Sequence, residues 1–111
     1  METIYLEDQK TLIFRISEEI DEFKAKDIRR RADYEIERFM PKRVVFDFNR
    51  VVFMDSAGIG LIIGRYKTTC CYGGSLEMMN VSPKLKRIFE MSGLLKIIPI
   101  IDSYKEVVWV I

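Results

Sequence analysis

Apolar and polar residues follow one another along the chain in blocks that predict alternating strands and helices. Residues 4–6 and 11–16 are short segments rich in β-forming residues, and the polar stretch between them predicts an N-terminal hairpin. A charged segment with apolar residues at helical spacing then runs to Phe39, which predicts an exposed amphipathic helix that ends before Pro41. Residues 44–48 are apolar at nearly every position, which predicts a strand covered on both faces at the centre of the sheet.

The second half of the chain continues this alternation. Residues 51–54 prolong the buried path, and a helix is predicted from Ser56 to about Cys71. Its predicted core-facing positions are Ile59, Ile62, Ile63, Tyr66 and Cys70. A strand over residues 76–80 follows, and Ser82-Pro83 predicts the start of the next helix.

The end of the chain predicts one more strand and one more helix. Ser92-Gly93 closes the preceding helix, residues 97–101 predict a last strand, and the spacing from Ser103 to Glu106 predicts a short final helix. This order predicts a single α/β domain over residues 1–111. Its sheet is mixed but mainly parallel, with an N-terminal hairpin and about four helices.

The polar pair Asp55-Ser56 stands where a buried strand is predicted to lead into a helix. One of the two side chains should cap the helix, and the backbone N–H groups there favour an anion. A phosphate carried on Ser56 would therefore be tolerated, which makes Ser56 a candidate switch. The plainer interpretation is a capped core helix whose glycines allow close packing.

Composition restricts the classes of function that remain. The chain has 111 residues, a net charge of +1 and 49% hydrophobic residues, which suits one compact domain without a nucleic-acid partner. The basic run at residues 29–31 is bracketed by acidic residues and predicts a solvated helix face. No apolar run is long enough to span a bilayer, and the adjacent Cys70 and Cys71 suit a reducing compartment, so we expect a soluble cytoplasmic protein.

The sequence offers little for catalysis. Histidine is absent, and no metal-ligand spacing is visible, so we expect no cofactor, no metal and no enzymatic activity. Gly58, Gly60 and Gly64 do not match the spacing of a dinucleotide fingerprint or a P-loop. A nucleotide-binding module or enzyme with Asp21 and Asp55 as paired carboxylates remains a weaker alternative.

Three segments resemble the STAS domain family, and within it the bacterial anti-sigma factor antagonists. They are residues 54–60 (Met-Asp-Ser-Ala-Gly-Ile-Gly), residues 63–67 and residues 81–98. The resemblance is greatest to the sporulation antagonists of anti-sigma F factors in endospore-forming Firmicutes. It is weaker in the N-terminal half, where residues 18–21 (Glu-Glu-Ile-Asp) lack the glycine of the family pattern.

This resemblance implies a partner switch. The unphosphorylated protein would bind a dimeric, ATP-bound anti-sigma factor that is also a serine kinase, and would displace the sigma factor. The kinase would phosphorylate Ser56, and a PP2C-like phosphatase would remove the phosphate. The expected partner surface consists of Asp21, Asp55, Ser56, Ala57, Gly58, Ile59 and Gly60. The same motif would serve an antagonist of another pathway, such as the general stress response.

Overall fold

The structure, a computed structural model, describes residues 1–101, and within them five strands form one mixed sheet. The strands, in spatial as well as chain order, are β1 (Glu2–Leu6), β2 (Thr11–Arg15), β3 (Arg43–Asp47), β4 (Ser75–Met79) and β5 (Ile100–Ile101). β1 and β2 are antiparallel, and all other neighbours are parallel. The predicted hairpin, the mainly parallel sheet and the central position of β3 are confirmed.

Three α-helices connect the parallel strands. They are α1 (Glu22–Phe39), α2 (Ser56–Cys71) and α3 (Pro83–Ser92). Ser82 caps α3 by accepting a hydrogen bond from the backbone of Leu85, and Gly93 ends that helix in a left-handed conformation, as the sequence predicts. The predicted fourth helix, from Ser103 onward, lies outside the described residues.

Two short 3-10 helices were not anticipated from the sequence. One (Glu7–Gln9) forms the connection of the N-terminal hairpin, and the other (Leu94–Lys96) follows α3. The second one delays the start of the predicted last strand, because among the described residues β5 pairs with β4 at Ile100–Ile101 and not from residue 97.

The core lies between one face of the sheet and the three helices. Four buried aromatic rings run through it, with centroid separations of 5.4 Å from Phe14 to Phe46 and 5.8 Å from Phe46 to Phe48 and from Phe48 to Phe89. Residues of the opposite sheet face are also buried, namely Leu6, Ile13, Val45 and Met79. Burial of successive residues on both faces explains why β3 is apolar almost throughout.

The buried side of α2 differs from the predicted one. The buried residues are Gly58, Leu61, Ile62, Arg65 and Thr69. Of the predicted core-facing positions Ile62 is fully buried and Cys70 is exposed, whereas Ile59, Ile63 and Tyr66 are half-buried and pack against the core. The helix packs beside α1 as well as on the sheet, so its most buried stripe is rotated toward small and polar residues.

The connection from β3 to α2 also departs from the prediction. Val51 and Met54 are buried, but Val52 and Phe53 are 46% and 53% exposed, so the path to Ser56 is only partly internal. Cys70 and Cys71 are exposed free thiols. Within residues 1–101 no helix is both long and apolar enough to cross a membrane.

Candidate functional site

The start of α2 is capped by Asp55, so Ser56 is not the capping residue. Asp55 adopts an extended backbone, and its Oδ1 accepts hydrogen bonds from the backbone N–H of Ala57 at 2.9 Å and of Gly58 at 3.2 Å. Ser56 is the first residue of the helix and is exposed, and its hydroxyl has no hydrogen-bond partner within residues 1–101. Asp55, and not Ser56, is therefore the helix cap.

The start of α1 lies beside the start of α2. Ile20 and Met54 form a parallel bridge just before the two helices, so the residues that follow them, Asp21 and Asp55, are neighbours at the same edge of the sheet. Asp21 is itself a cap, since its Oδ1 accepts a hydrogen bond from the backbone N–H of Lys24 at 2.7 Å. The structure thus brings together the two carboxylates that the sequence singled out, each exposed and each capping a helix.

Lys24 adds a local ion pair to this region. Its ammonium group donates to the carboxylate of Glu18, and this hydrogen bond lowers the pKa of Glu18 and raises the pKa of Lys24. Both side chains lie in solvent, so the pair contributes little to stability. The positive charge of Lys24 is therefore already paired with the Glu18 carboxylate.

An apolar hollow lies beside Ser56. It has a volume of about 420 Å³. Its lining residues are Phe53, Met54, Asp55, Ser56, Ile59, Ile88, Met91 and Ser92. Met91 is 88% exposed and Phe53 53% exposed, whereas Ile59 and Ile88 are half-buried. Large apolar side chains held in solvent around a polar hydroxyl are typical of a surface that another protein covers.

The glycines of α2 have different roles. A β-carbon on Gly58 would lie 2.2 Å from Cγ of the buried Met54, so this position permits close packing under the helix start. Gly60 is exposed, with nothing within 4 Å of an added β-carbon. Gly58, which was expected on the partner surface, is therefore a buried packing residue, and Gly60 is the glycine that faces outward.

The other expected surface residues lie around this start of α2. Ser56 and Asp55 are exposed, and Ala57 and Ile59 are half-buried. Sequence reasoning missed Phe53, Ile88 and Met91, because they come from separate parts of the chain. Met91 alone gave a signal, because it is an apolar residue outside the buried stripe of α3, whereas Ile88 lies on that stripe beside Phe89.

The site holds no constellation suited to metal chemistry. In the part of the chain that the structure describes, no group of three or more His, Cys, Asp or Glu side chains converges on one point. The arrangement can present a hydroxyl, two capping carboxylates and an apolar surface to another molecule.

Comparisons with known proteins find relatives among the anti-sigma factor antagonists. An anti-sigma F factor antagonist from Paenibacillus polymyxa is 39% identical over 92 residues, which cover 83% of this chain and 79% of that protein. An anti-sigma-B factor antagonist from Bacillus subtilis (strain 168) is 44% identical over a shorter stretch of 50 residues, 45% of this chain and 46% of that protein.

The fold is similar to solved structures of the anti-sigma factor antagonist SpoIIAA. Its unphosphorylated form superposes with a TM-score of 0.76 at 28% identity, covering 88% of this chain and 84% of that one. The phosphorylated form of the Bacillus cell fate determinant SpoIIAA gives a TM-score of 0.68 at the same identity, over 88% and 86% of the two chains. The family model of the STAS domain matches residues 4–107, and the chain belongs to the STAS domain family.

Proposed function

We propose that this protein is an anti-sigma factor antagonist that is switched off by phosphorylation of Ser56. In its unphosphorylated form it binds an anti-sigma factor that is also a serine kinase, dimeric and ATP-bound, and releases the sigma factor. A PP2C-like phosphatase restores the hydroxyl. The protein acts in the cytoplasm as substrate and inhibitor, without catalytic activity of its own.

One observation carries the proposal: the Ser56 hydroxyl is exposed, does not cap the helix, and lies beside the apolar hollow. A phosphate there adds roughly −1.5 to −2 charges at neutral pH. The N-terminus of α2 stabilises such a charge by ~0.3–2 kcal/mol, so the fold tolerates it. A partner that covers the hollow would have to desolvate the same charge, which is costly unless it supplies a cation. Phosphorylation therefore opposes binding and leaves folding intact.

The names of the relatives support this reading and suggest sigma F as the pathway. The Paenibacillus relative, matched over most of its length, is an anti-sigma F factor antagonist, and SpoIIAA is known in unphosphorylated and phosphorylated forms. The second candidate is an antagonist of an anti-sigma-B factor, which the 44% identity over 50 residues to the Bacillus subtilis protein favours. Calorimetric titration against both kinds of anti-sigma factor separates the two pathways.

The decisive experiment uses Ser56 and a matched serine elsewhere. After incubation with the anti-sigma F kinase and ATP, mass spectrometry should find a phosphate on Ser56. In calorimetry, Ser56→Ala should bind the kinase like the wild type and never be released by ATP, whereas Ser56→Asp should bind at least about tenfold more weakly, or ~1.4 kcal/mol.

The control is Ser75→Asp, which adds the same charge at the start of β4, the opposite end of the sheet. It should bind within about twofold of the wild type. Unchanged affinity of Ser56→Asp would contradict the proposal, and so would phosphate found only on Ser82 or Ser103.

A further inference from the structure

The outward side of α1 carries a short row of aromatic and charged side chains. The buried residues of this helix are Ala25, Ile28, Ala32 and Ile36. At about 100° per residue, the opposite side of the helix is formed by positions 23, 27, 30 and 34, and all four are exposed. These residues are Phe23, Asp27, Arg30 and Tyr34, and they are called the α1 seam below.

The two aromatic residues stand at the ends of the α1 seam. Phe23 is 87% exposed and Tyr34 is 64% exposed, and neither ring packs on another ring within residues 1–101. The four seam positions are separated by four, three and four residues, which is the spacing of the positions through which helices pair in coiled coils. Two solvated rings at this spacing are typical of a helix face that a second helix covers.

The two charged residues between the rings are available to a partner. Arg30 has no ion pair or hydrogen bond within residues 1–101. Asp27 lies 4.0 Å from Arg31 of the same helix, and an exposed pair of this kind contributes little to stability. The Asp27 carboxylate can therefore contact a second cation.

The order of the four residues makes the α1 seam complementary to itself. Along the helix they read aromatic, acid, base, aromatic, and they are spaced evenly about a midpoint between residues 28 and 29. When two such helices pair antiparallel about a twofold axis, each residue faces the one that lies equally far beyond the midpoint. Phe23 then faces Tyr34 of the second copy, and Asp27 faces Arg30 of the second copy. A parallel pair would place like charges opposite each other, which is unfavourable.

We propose that this protein forms a weak homodimer through the α1 seam, with the two α1 helices antiparallel. The dimer contains two aromatic contacts at its ends and two ion pairs in its middle. The seam extends about 16 Å along the helix at 1.5 Å per residue. A contact of this length covers less than the ~800 Å² per partner of a standard interface, so the dimer dissociates readily.

Two hollows beside the α1 seam can receive the rings of the second copy. One, of about 620 Å³, is lined in part by Phe23 and Arg30, and the other, of about 390 Å³, is lined in part by Arg30 and Tyr34. In the antiparallel pair, the Tyr34 ring of the second copy enters the first hollow and its Phe23 ring enters the second. Each ring is thereby removed from water, which favours association.

The homodimer does not involve the apolar hollow beside Ser56. None of the α1 seam residues lines that hollow, whose side chains come from the loop before α2, from α2 and from α3. Both copies therefore keep the hollow and Ser56 accessible. The inference does not rest on the proposed function, and the two are tested separately.

Sedimentation velocity of the isolated full chain, at concentrations that reach about 1 mM, tests the proposal. We expect the weight-average mass to rise toward that of a dimer as the concentration increases. Phe23→Ala and Tyr34→Ala should each weaken association at least about fivefold, because each removes an aromatic contact. Both side chains are exposed, so the variants keep the fold.

Charge reversal in the middle of the α1 seam distinguishes self-pairing from any other association. Asp27→Arg alone and Arg30→Asp alone should each remain monomeric, because like charges then face each other. An equimolar mixture of these two variants should dimerise, since each arginine of one chain then faces an aspartate of the other. A chain that carries both changes should dimerise by itself like the wild type.

The matched control is Asp8→Arg, which makes the same charge reversal at an exposed position of the hairpin connection, outside the α1 seam. Its dimerisation should stay within about twofold of the wild type. A wild-type chain that stays monomeric throughout would overturn the proposal and assign the seam to a different protein. A mixture of Asp27→Arg and Arg30→Asp that fails to associate, or a dimer that Phe23→Ala leaves unchanged, would overturn it as well.

Discussion

Gly58 faces Met54 so closely that a β-carbon on the glycine would lie 2.2 Å from Cγ of the methionine. Met54 is 2% exposed and is held in the bridge to Ile20, so it has little room to move. This contact joins the start of α2 to the loop that precedes it. The buried contact between Gly58 and Met54 therefore fixes the start of α2, while the neighbouring Ser56 stays exposed.

Alanine at the two glycines should have opposite effects on stability. Gly58→Ala should lower the free energy of unfolding by about 1–3 kcal/mol through overpacking against Met54. Gly60→Ala should raise it by about 0.5–1 kcal/mol, because the position is open and alanine favours the helix. Urea denaturation measures both values. Equal effects of the two variants would show that Gly58 is not a packing residue.

The two residues of the Asp55-Ser56 pair should also separate in denaturation experiments. Asp55→Ala removes the acceptor for two backbone N–H groups and should cost about 1–2 kcal/mol. Ser56→Ala changes an exposed side chain and should stay within about 0.5 kcal/mol of the wild type. A loss at Ser56 as large as that at Asp55 would mean that the hydroxyl, and not the carboxylate, caps α2.

Asp47 ties the carboxyl ends of three strands together. It is fully buried, and its carboxylate accepts hydrogen bonds from Arg15 Nε at 3.1 Å and from Asn80 Nδ2 at 2.9 Å. Asp47→Ala removes the carboxylate that accepts both hydrogen bonds and should lower the free energy of unfolding by about 1–3 kcal/mol, since Arg15 is 29% exposed and keeps its contact with Glu2.

Glu2→Ala provides the control for Asp47, because Glu2 binds the same arginine at 2.8 Å but is exposed. It should cost less than about 1 kcal/mol. Chemical denaturation of the two variants compares the values directly. A Glu2 variant as unstable as the Asp47 variant would place the important contact of Arg15 at the surface.

If a partner covers the apolar hollow, a charge placed in it should weaken partner binding. Met91→Glu should fold normally, since the side chain is 88% exposed, but should weaken binding to the anti-sigma kinase at least about tenfold in calorimetry. Tyr34→Glu, on the exposed face of α1, is the matched control and should bind like the wild type. Loss of binding by the Tyr34 variant alone would move the interface to α1.

Most of the fold could be predicted because its signals are local. The hairpin, the apolar β3 segment and the Ser82-Pro83 helix start each depend on a few adjacent residues. The buried side of α2 was not predictable in the same way, because both of its sides carry apolar residues. Packing beside α1 decides which stripe is buried most deeply: Arg65 and Thr69 are buried, Ile63 is half-buried against the core, and Cys70 is exposed.

The candidate site was only partly predictable for a related reason. Asp55 and Ser56 are adjacent in the sequence and could be recognised directly. A helix cap at this position could be predicted because aspartate and serine are common capping residues. The hollow requires Phe53 from the loop and Ile88 and Met91 from α3 to meet, which depends on how the chain folds back. Outside this site, the buried position of Arg65 was not predictable either, because arginine ordinarily indicates an exposed position.

Asp55 caps α2 and Ser56 does not, and this separation of roles has a consequence for evolution. Because the Asp55 carboxylate caps the helix, the residue at position 56 can change with little loss of folding stability. Under the proposed switch, a threonine there would keep a hydroxyl that can accept a phosphate, and an alanine would remove it and leave the protein permanently active. Single substitutions at this position would then change the proposed response while the fold stays constant.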